Sequence, residues 1–385
     1  MLREVIKREF RRYIARPVYL MGLVVIPIAL ALFFIAILDE GLPLQAPVGI
    51  VDLDHTPMSR RLTRNLGASE LLQISDKQYN SYNEAIDGVK RGEIMGFFVI
   101  PEHFERDAEA QTGTNLAFYC NLTYYVPGSL VYKAFKTMAV TSAGEVVTTS
   151  LVGKGLSPEL SRVALMPLVL DIRPVGNPWI SYAYYLGPSF IIGSVGLMAL
   201  LMSVFVFMSE IKEGTSRSWL DAAGNHIATA IFGKLIPLTL VLTVVAVFVH
   251  SLMFHYCGYP MNGNEWNMLL GLLLFIIACE SLGVVLASII PSPRFALSLA
   301  SLIGILTFSI AAFSFPVEAM YGSIGIFSYI LPVRYYFLIY IDQALNGIDL
   351  YFSRWWYVGL LCFPIAATLV APLMRRWSRH PVYVP

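Results

Sequence analysis

Six stretches of this 385-residue chain are apolar for roughly the 20 residues that a helix needs to cross a bilayer. They cover 18–38, 188–208, 228–251, 268–290, 295–314 and 356–374. In hydrocarbon every backbone polar group must be satisfied within its own segment, so these stretches are expected as transmembrane helices. Composition agrees: 56% of residues are hydrophobic and 14% charged, against roughly 25% charged in soluble domains. The net charge of +1 gives no electrostatic footprint for nucleic acid.

Lysine and arginine set the expected orientation. Arg3, Lys7, Arg8, Arg11, Arg12 and Arg16 precede the first span. Lys212 and Arg217 stand between spans 2 and 3, Arg294 between 4 and 5, and Arg375, Arg376 and Arg379 after span 6. The 252–267 loop has neither residue type, and 315–355 has only Arg334 and Arg354. Both termini are therefore expected in the cytoplasm. The first apolar run is longer than a signal-peptide core of about 7–15 residues, so it reads as an uncleaved anchor. Before it, Leu2, Val5, Ile6, Phe10 and Ile14 recur at near-helical spacing among basic residues. That pattern predicts an amphipathic helix over 1–17 lying on the inner leaflet.

Residues 39–187 are long enough for a small extracytoplasmic domain of mixed α/β type. PVGIVDLD (47–54), LLQIS (71–75), IMGFFVI (94–100), NLAFYCN (115–121) and LVLDIRP (168–174) read as strands, the third as a central one. Thr56-Pro57 supplies an N-cap and a first-turn proline for a helix to about Leu66. Tyr82, Ala85, Ile86 and Val89 mark a helical face, and 129–153 a long helix. Asp52, Asp54 and His55 look superficially like metal ligands but read as a polar turn after a strand. Cys120, Cys257, Cys279 and Cys362 share no metal-ligand spacing, and Cys120 alone falls in this domain, which excludes an internal disulfide there. No metal and no catalytic constellation is expected.

The chain has no GxxxxGK[ST]; GNHIATAIFGKL has the wrong spacing and runs into span 3. No cofactor is expected on this chain, and ATP-driven work would need a second subunit. Charges inside spans are few. Glu280 lies mid-span 4 and His250 at the end of span 3. Glu280 has two readings, a residue of a translocation path or a carboxyl hydrogen-bonded between helices. Tyr335, Tyr336, Tyr340, Trp355 and Trp356 read as an interfacial aromatic belt.

The order of these parts resembles the ABC type-2 exporter permeases with a large insert between the first two spans. VDLDHTPMSRRL and EAIDGVKRGEIMGFFVIPEHF are similar to that family's opening and central segments of the insert. VGNPWISYAYYLGP (175–188), FPVEAM (315–320) and ILPVRYY (330–336) resemble its membrane-entry and last outer-loop segments. SEIKEGTSRSWLDAAG (209–224) resembles its first cytoplasmic loop, with Glu210, Glu213-Gly214-Thr215 and then Gly233-Lys234 before span 3. Ser216-Arg217, Trp219-Leu220 and Ala222-Ala223-Gly224 depart from the usual pattern.

The resemblance implies six transmembrane helices, a re-entrant or short-helix loop over 315–355 and a cytoplasmic tail over 375–385. It also implies a coupling loop at 209–227 that docks on a separate ABC ATPase carrying ATP and Mg. In that loop Glu210, Glu213, Gly214, Thr215, Arg217, Trp219 and Leu220 would make the contact, with Trp219 and Leu220 as anchors and Glu210, Glu213 and Arg217 as a polar rim. Export across a bacterial inner membrane, of a hydrophobic or amphipathic substrate, would need a second permease copy or a paralogue. A periplasmic adaptor protein is a further candidate partner. The other readings are a non-transporting scaffold whose outer domain binds an envelope partner, and an ion-coupled carrier, which the scarcity of buried charge disfavours.

Overall fold

The computed structural model describes residues 1–39, 45–110, 115–123, 125–153, 181–311 and 320–379, with 155, 157, 177, 178 and 317. It separates into two compact units, Met1–Gly41 with Arg173–Pro385, and Leu42–Ile172.

The first unit opens with α1 (Leu2–Ala15). Among the described residues six helices are long and apolar enough to cross a membrane. They are α2 (Pro17–Leu38), α7 (Tyr182–Lys212), α9 (Ile227–Tyr256), α10 (Glu265–Ile289), α11 (Pro293–Ile310) and α14 (Leu350–Arg379), spans 1 to 6 in that order. Each matches an apolar run, and several extend past it because their polar end turns pack on neighbours. A bent pair, α12 (Gly322–Ser328) and α13 (Pro332–Leu345), meets at 80° in the 315–355 region. The short helix α8 (Ser216–Ala222) joins spans 2 and 3.

Span 2 is the hub. Its apolar window is 78% buried and that of span 4 is 67%, whereas those of spans 1, 5 and 6 are 22%, 17% and 28%. The hub packs against the other spans except the last, and against α13. Span 2 starts at Tyr182 rather than near Pro188, so Pro188 lies inside the helix. A proline there has no N–H for the carbonyl of Tyr184, four residues back. The hydroxyl of Tyr340 on α13 donates to that carbonyl instead. Tyr336 and Tyr340 are therefore core residues, fully buried. Only part of the expected aromatic belt is exposed, with Trp355 outermost and Trp356 bonded through Nε1 to Asp342 (2.9 Å).

The second unit is a four-stranded mixed sheet with helices. Strands β1 (Ala46–Asp52), β2 (Leu72–Ile74), β3 (Gly96–Ile100) and β4 (Ala117–Cys120) lie in the order β2-β1-β3-β4. The first three are parallel and β4 is antiparallel to β3. The register pairs Val48 with Gly96 and Gly96 with Cys120, so β3 is internal, as its continuous apolar run predicts. Helices α3 (Pro57–Gly67), α4 (Tyr82–Lys90), α5 (Phe104–Glu109) and α6 (Tyr125–Gly153) complete it. Thr56 caps α3 by accepting from the Ser59 amide (3.2 Å). On α6, Phe135 packs edge-on against Phe98 at 4.7 Å. The expected strand at 168–174 lies outside the described residues.

The Asp52–His55 segment is a turn. Asp52 Oδ1 accepts from the amides of Asp54 and His55, both at 3.0 Å, and Oδ2 from Ser59 Oγ at 2.6 Å. Asp54 Oδ2 accepts from Thr56 Oγ1 and from the Glu105 amide. These carboxylates fix the strand-to-helix corner and hold α5 beside it.

Candidate functional site

Span 2 ends at Lys212 and the chain reverses at Gly214, whose φ of +67° suits a residue without a side chain. The Thr215 amide donates to Glu210 O (2.9 Å) and the Gly214 amide to Ile211 O (3.1 Å). After α8 the pattern repeats, with the Asn225 amide on Leu220 O and the Gly224 amide on Asp221 O, both 2.9 Å, and Gly224 at φ +66°. Each pair closes a helix end in a Schellman turn. The loop is thus a two-turn helix between two closed corners, which explains the glycines in EGT and AAG.

Beneath the loop lies a cluster of charges. Lys234, on span 3, is fully buried. Its Nζ donates to Glu210 Oε1 (2.8 Å), Glu9 Oε1 (3.0 Å) and Val206 O (3.4 Å), and sits 5.3 Å above the Trp219 ring. Glu210 also pairs with Arg8 (2.9 Å) and Arg12, and accepts from Thr215 Oγ1. Glu213 pairs with Arg12 (2.6 Å) and Arg16. Four cations therefore hold three carboxylates, and α1, span 2 and span 3 meet in one network. Burying such groups is costly unless they are paired and hydrogen-bonded. Leaving any one alone would be far worse.

Outside the spans the charges respond as this geometry requires. Burial works against the Arg12 charge, but Glu210, Glu9 and Glu213 outweigh it and raise its pKa. Partial burial pushes the Glu213 carboxyl up. The hydrogen bond from Arg16 and the charge and hydrogen bond of Arg12 overcome that, so its pKa is lowered.

The structure brings the expected loop residues together but gives them different places. Glu210 is fully buried and ion-paired, so it is no rim residue. Trp219 and Leu220 are core side chains of this subunit, with Trp219 edge-on to Phe207 at 5.9 Å. They hold the loop down and are not offered as anchors, because span 2 and the loop would otherwise expose them. Thr215 is partly buried, while Gly214, Glu213 and Arg217 are exposed. Arg217 Nε donates to Arg379 O (2.7 Å), which fastens the loop to the end of span 6. The outer face of the loop is completed by Lys212, Ser218 and Asp221.

Sequence reasoning missed Glu9 and the partners of Lys234. The signals were present. Glu9 falls in line with Val5 and Tyr13, the buried stripe of α1, and Lys234 is a lone charge in an apolar run. Of the expected apolar face of α1, Leu2 is exposed and Val5 is buried. Val5, Glu9 and Tyr13 point inward on the protein, and Ile14 is exposed. Gly233 makes this approach feasible, since a Cβ there would lie 2.5 Å from Val5 Cγ1.

Glu280 is buried between helices. Its Oε2 accepts from Thr239 Oγ1 of span 3, and its backbone carbonyl from Ser203 Oγ of span 2 (2.8 Å). The two contacts tie span 4 to spans 3 and 2.

Six apolar spans, a mixed α/β unit between the first two and a stiff loop pinned to the bundle define a polytopic membrane protein of permease type. The model of the ABC-2 family transporter proteins matches residues 17–373, and the chain belongs to that family. None of the curated proteins matches the chain. Its family is one of membrane permeases, which places its work in the transporter's membrane subunit.

Proposed function

We propose that this chain is the membrane subunit of an ATP-driven exporter and that the 209–227 loop receives a separate ABC ATPase. The observation that carries the reading is the loop's construction. Its outer face, with Lys212, Gly214, Arg217, Ser218 and Asp221, is free of the bundle's core. Its inner face, through Trp219, Glu210 and Lys234, is locked to α1 and to spans 2 and 3. A push on such a loop moves these three elements together. A solvated connector would need neither the two closed corners nor a buried lysine.

In this reading Glu210 and Glu213 act inward, as the joint between loop and N-terminal helix, and the ATPase meets the exposed polar face. Both termini and the loop lie in the cytoplasm, and the inserted α/β unit lies outside it. The substrate is hydrophobic or amphipathic and leaves the cytoplasm or the inner leaflet. ATP and Mg bind the partner. A second permease copy or paralogue completes the pathway, because six spans are few to enclose one alone. The test is capture of a Walker-motif ATPase by the intact chain, abolished by charge reversal on the loop's outer face (Lys212→Glu with Arg217→Glu) but retained by the conservative Lys212→Arg.

A further inference from the structure

The last turn of span 3, Leu252–Tyr256, is a π turn, with the Cys257 amide donating to Leu252 O five residues back (2.9 Å). In an α-helix residues five apart point about 140° away from each other. The wider turn brings His250 and His255 to the same side. Both then reach one oxygen of Glu265, in the first turn of span 4. His255 Nε2 lies 3.0 Å from Glu265 Oε1 and His250 Nε2 lies 3.4 Å from it.

The three side chains differ in exposure. His250 is 1% exposed, and neither of its ring nitrogens has a hydrogen-bond partner. Its ring lies 4.4 Å from that of Phe254. Glu265 and His255 are open to solution. Span parity puts this corner on the membrane side opposite the N-terminal helix.

We propose that His250, Glu265 and His255 form a proton-binding tie between the ends of spans 3 and 4. A proton arriving from solution at the exposed His255 turns its contact with Glu265 into an imidazolium–carboxylate pair, stronger than the contact of the neutral ring. Imidazole is the side chain that most readily takes up a proton as neutral surroundings turn mildly acidic, so the tie strengthens on acidification. Among the described residues, the electrostatic partners of His250 include one carboxylate, Glu265. On its own segment the other groups facing the corner are His255 and Cys257; from elsewhere they are Asp39 at the end of span 1, whose charge acts on Cys257 and Tyr259, and the phenols of Tyr259 and Tyr340 around Phe254. The tie also reaches the hub, since Tyr340 donates to the Tyr184 carbonyl of span 2.

The experiment is hydrogen exchange of residues 250–268 in the full chain held in lipid nanodiscs, corrected for intrinsic exchange, at about pH 8 and about pH 5.5 in EDTA. Protection is expected to rise on acidification by about 5-fold, the gain of one charge-assisted bond over a neutral one. Glu265→Gln should abolish the rise, and His255→Asn should cut it. An unchanged rise in Glu265→Gln, or no rise in the unmodified chain, overturns the proposal. A rise that appears only when zinc replaces EDTA overturns it in favour of a metal.

Discussion

Lys234 Nζ stands 2.8 Å from Glu210 Oε1 with neither side chain exposed. Glu9 closes on the same ammonium from the N-terminal helix at 3.0 Å. One buried lysine thus joins three parts of the chain, and with Arg8 and Arg12 it offsets the two buried carboxylates.

Lys234→Met should be strongly destabilising, because it strands buried carboxylates. The expected cost is about 3–5 kcal/mol. Adding Glu9→Gln should recover part of it, since Glu210 keeps Arg8 and Arg12 as partners. Apparent unfolding temperatures of the single and double variants in detergent check this. A double variant no better than the single would contradict the shared-cluster account.

Trp219→Ala should behave as a core truncation, at about 3–5 kcal/mol. Ser218→Ala, one residue away and exposed, should stay within about 0.5 kcal/mol. Comparing unfolding with ATPase capture for both separates packing from docking. Loss of capture by Trp219→Ala at unchanged stability would instead make Trp219 a direct contact.

Gly233→Ala should push α1 off span 3, because the new Cβ would overlap Val5 at 2.5 Å. Overpacking of this kind costs about 1–3 kcal/mol. Limited proteolysis should cut within residues 1–16 faster in this variant, and Val5→Ala in the same chain should not restore resistance, because the Cβ of residue 5 itself would lie 2.6 Å from the new one.

The Glu213 tie to Arg12 and Arg16 should be steady through neutral pH and fail only in acid. The carboxyl titrates lower in the folded chain than free, so its contribution is present above the ordinary carboxylate range of about 4.3 and is lost as pH falls through the folded value. The protection of residues 10–16, from hydrogen exchange corrected for intrinsic exchange, should therefore be flat from about pH 8 to about pH 5 and fall below about pH 4, and Glu213→Gln should remove the acid limb.

The spans were legible because a 20-residue apolar run has few other folds open to it. The internal place of β3 followed from its unbroken apolar run, and the start of α3 from Thr56-Pro57. The loop's position was legible through its glycines, but its inside and outside were not. A Trp-Leu pair in a polar loop can fill a partner's cleft or its own core, and only the fold shows Trp219 lying on Phe207. The charge cluster was hidden because its members lie 24 and 225 residues from Lys234 in sequence. The π turn that aligns His250 with His255 had no signature in the sequence, since residue types do not distinguish it from an α turn.

The most direct measurement is affinity capture of the intact chain in mild detergent with a non-hydrolysed ATP analogue, followed by quantitative mass spectrometry. The account predicts a Walker-motif ATPase at near-equal stoichiometry, lost in Lys212→Glu/Arg217→Glu and retained in Lys212→Arg. A folded chain that brings down no ATPase, or one whose capture ignores the loop's outer face, would contradict it.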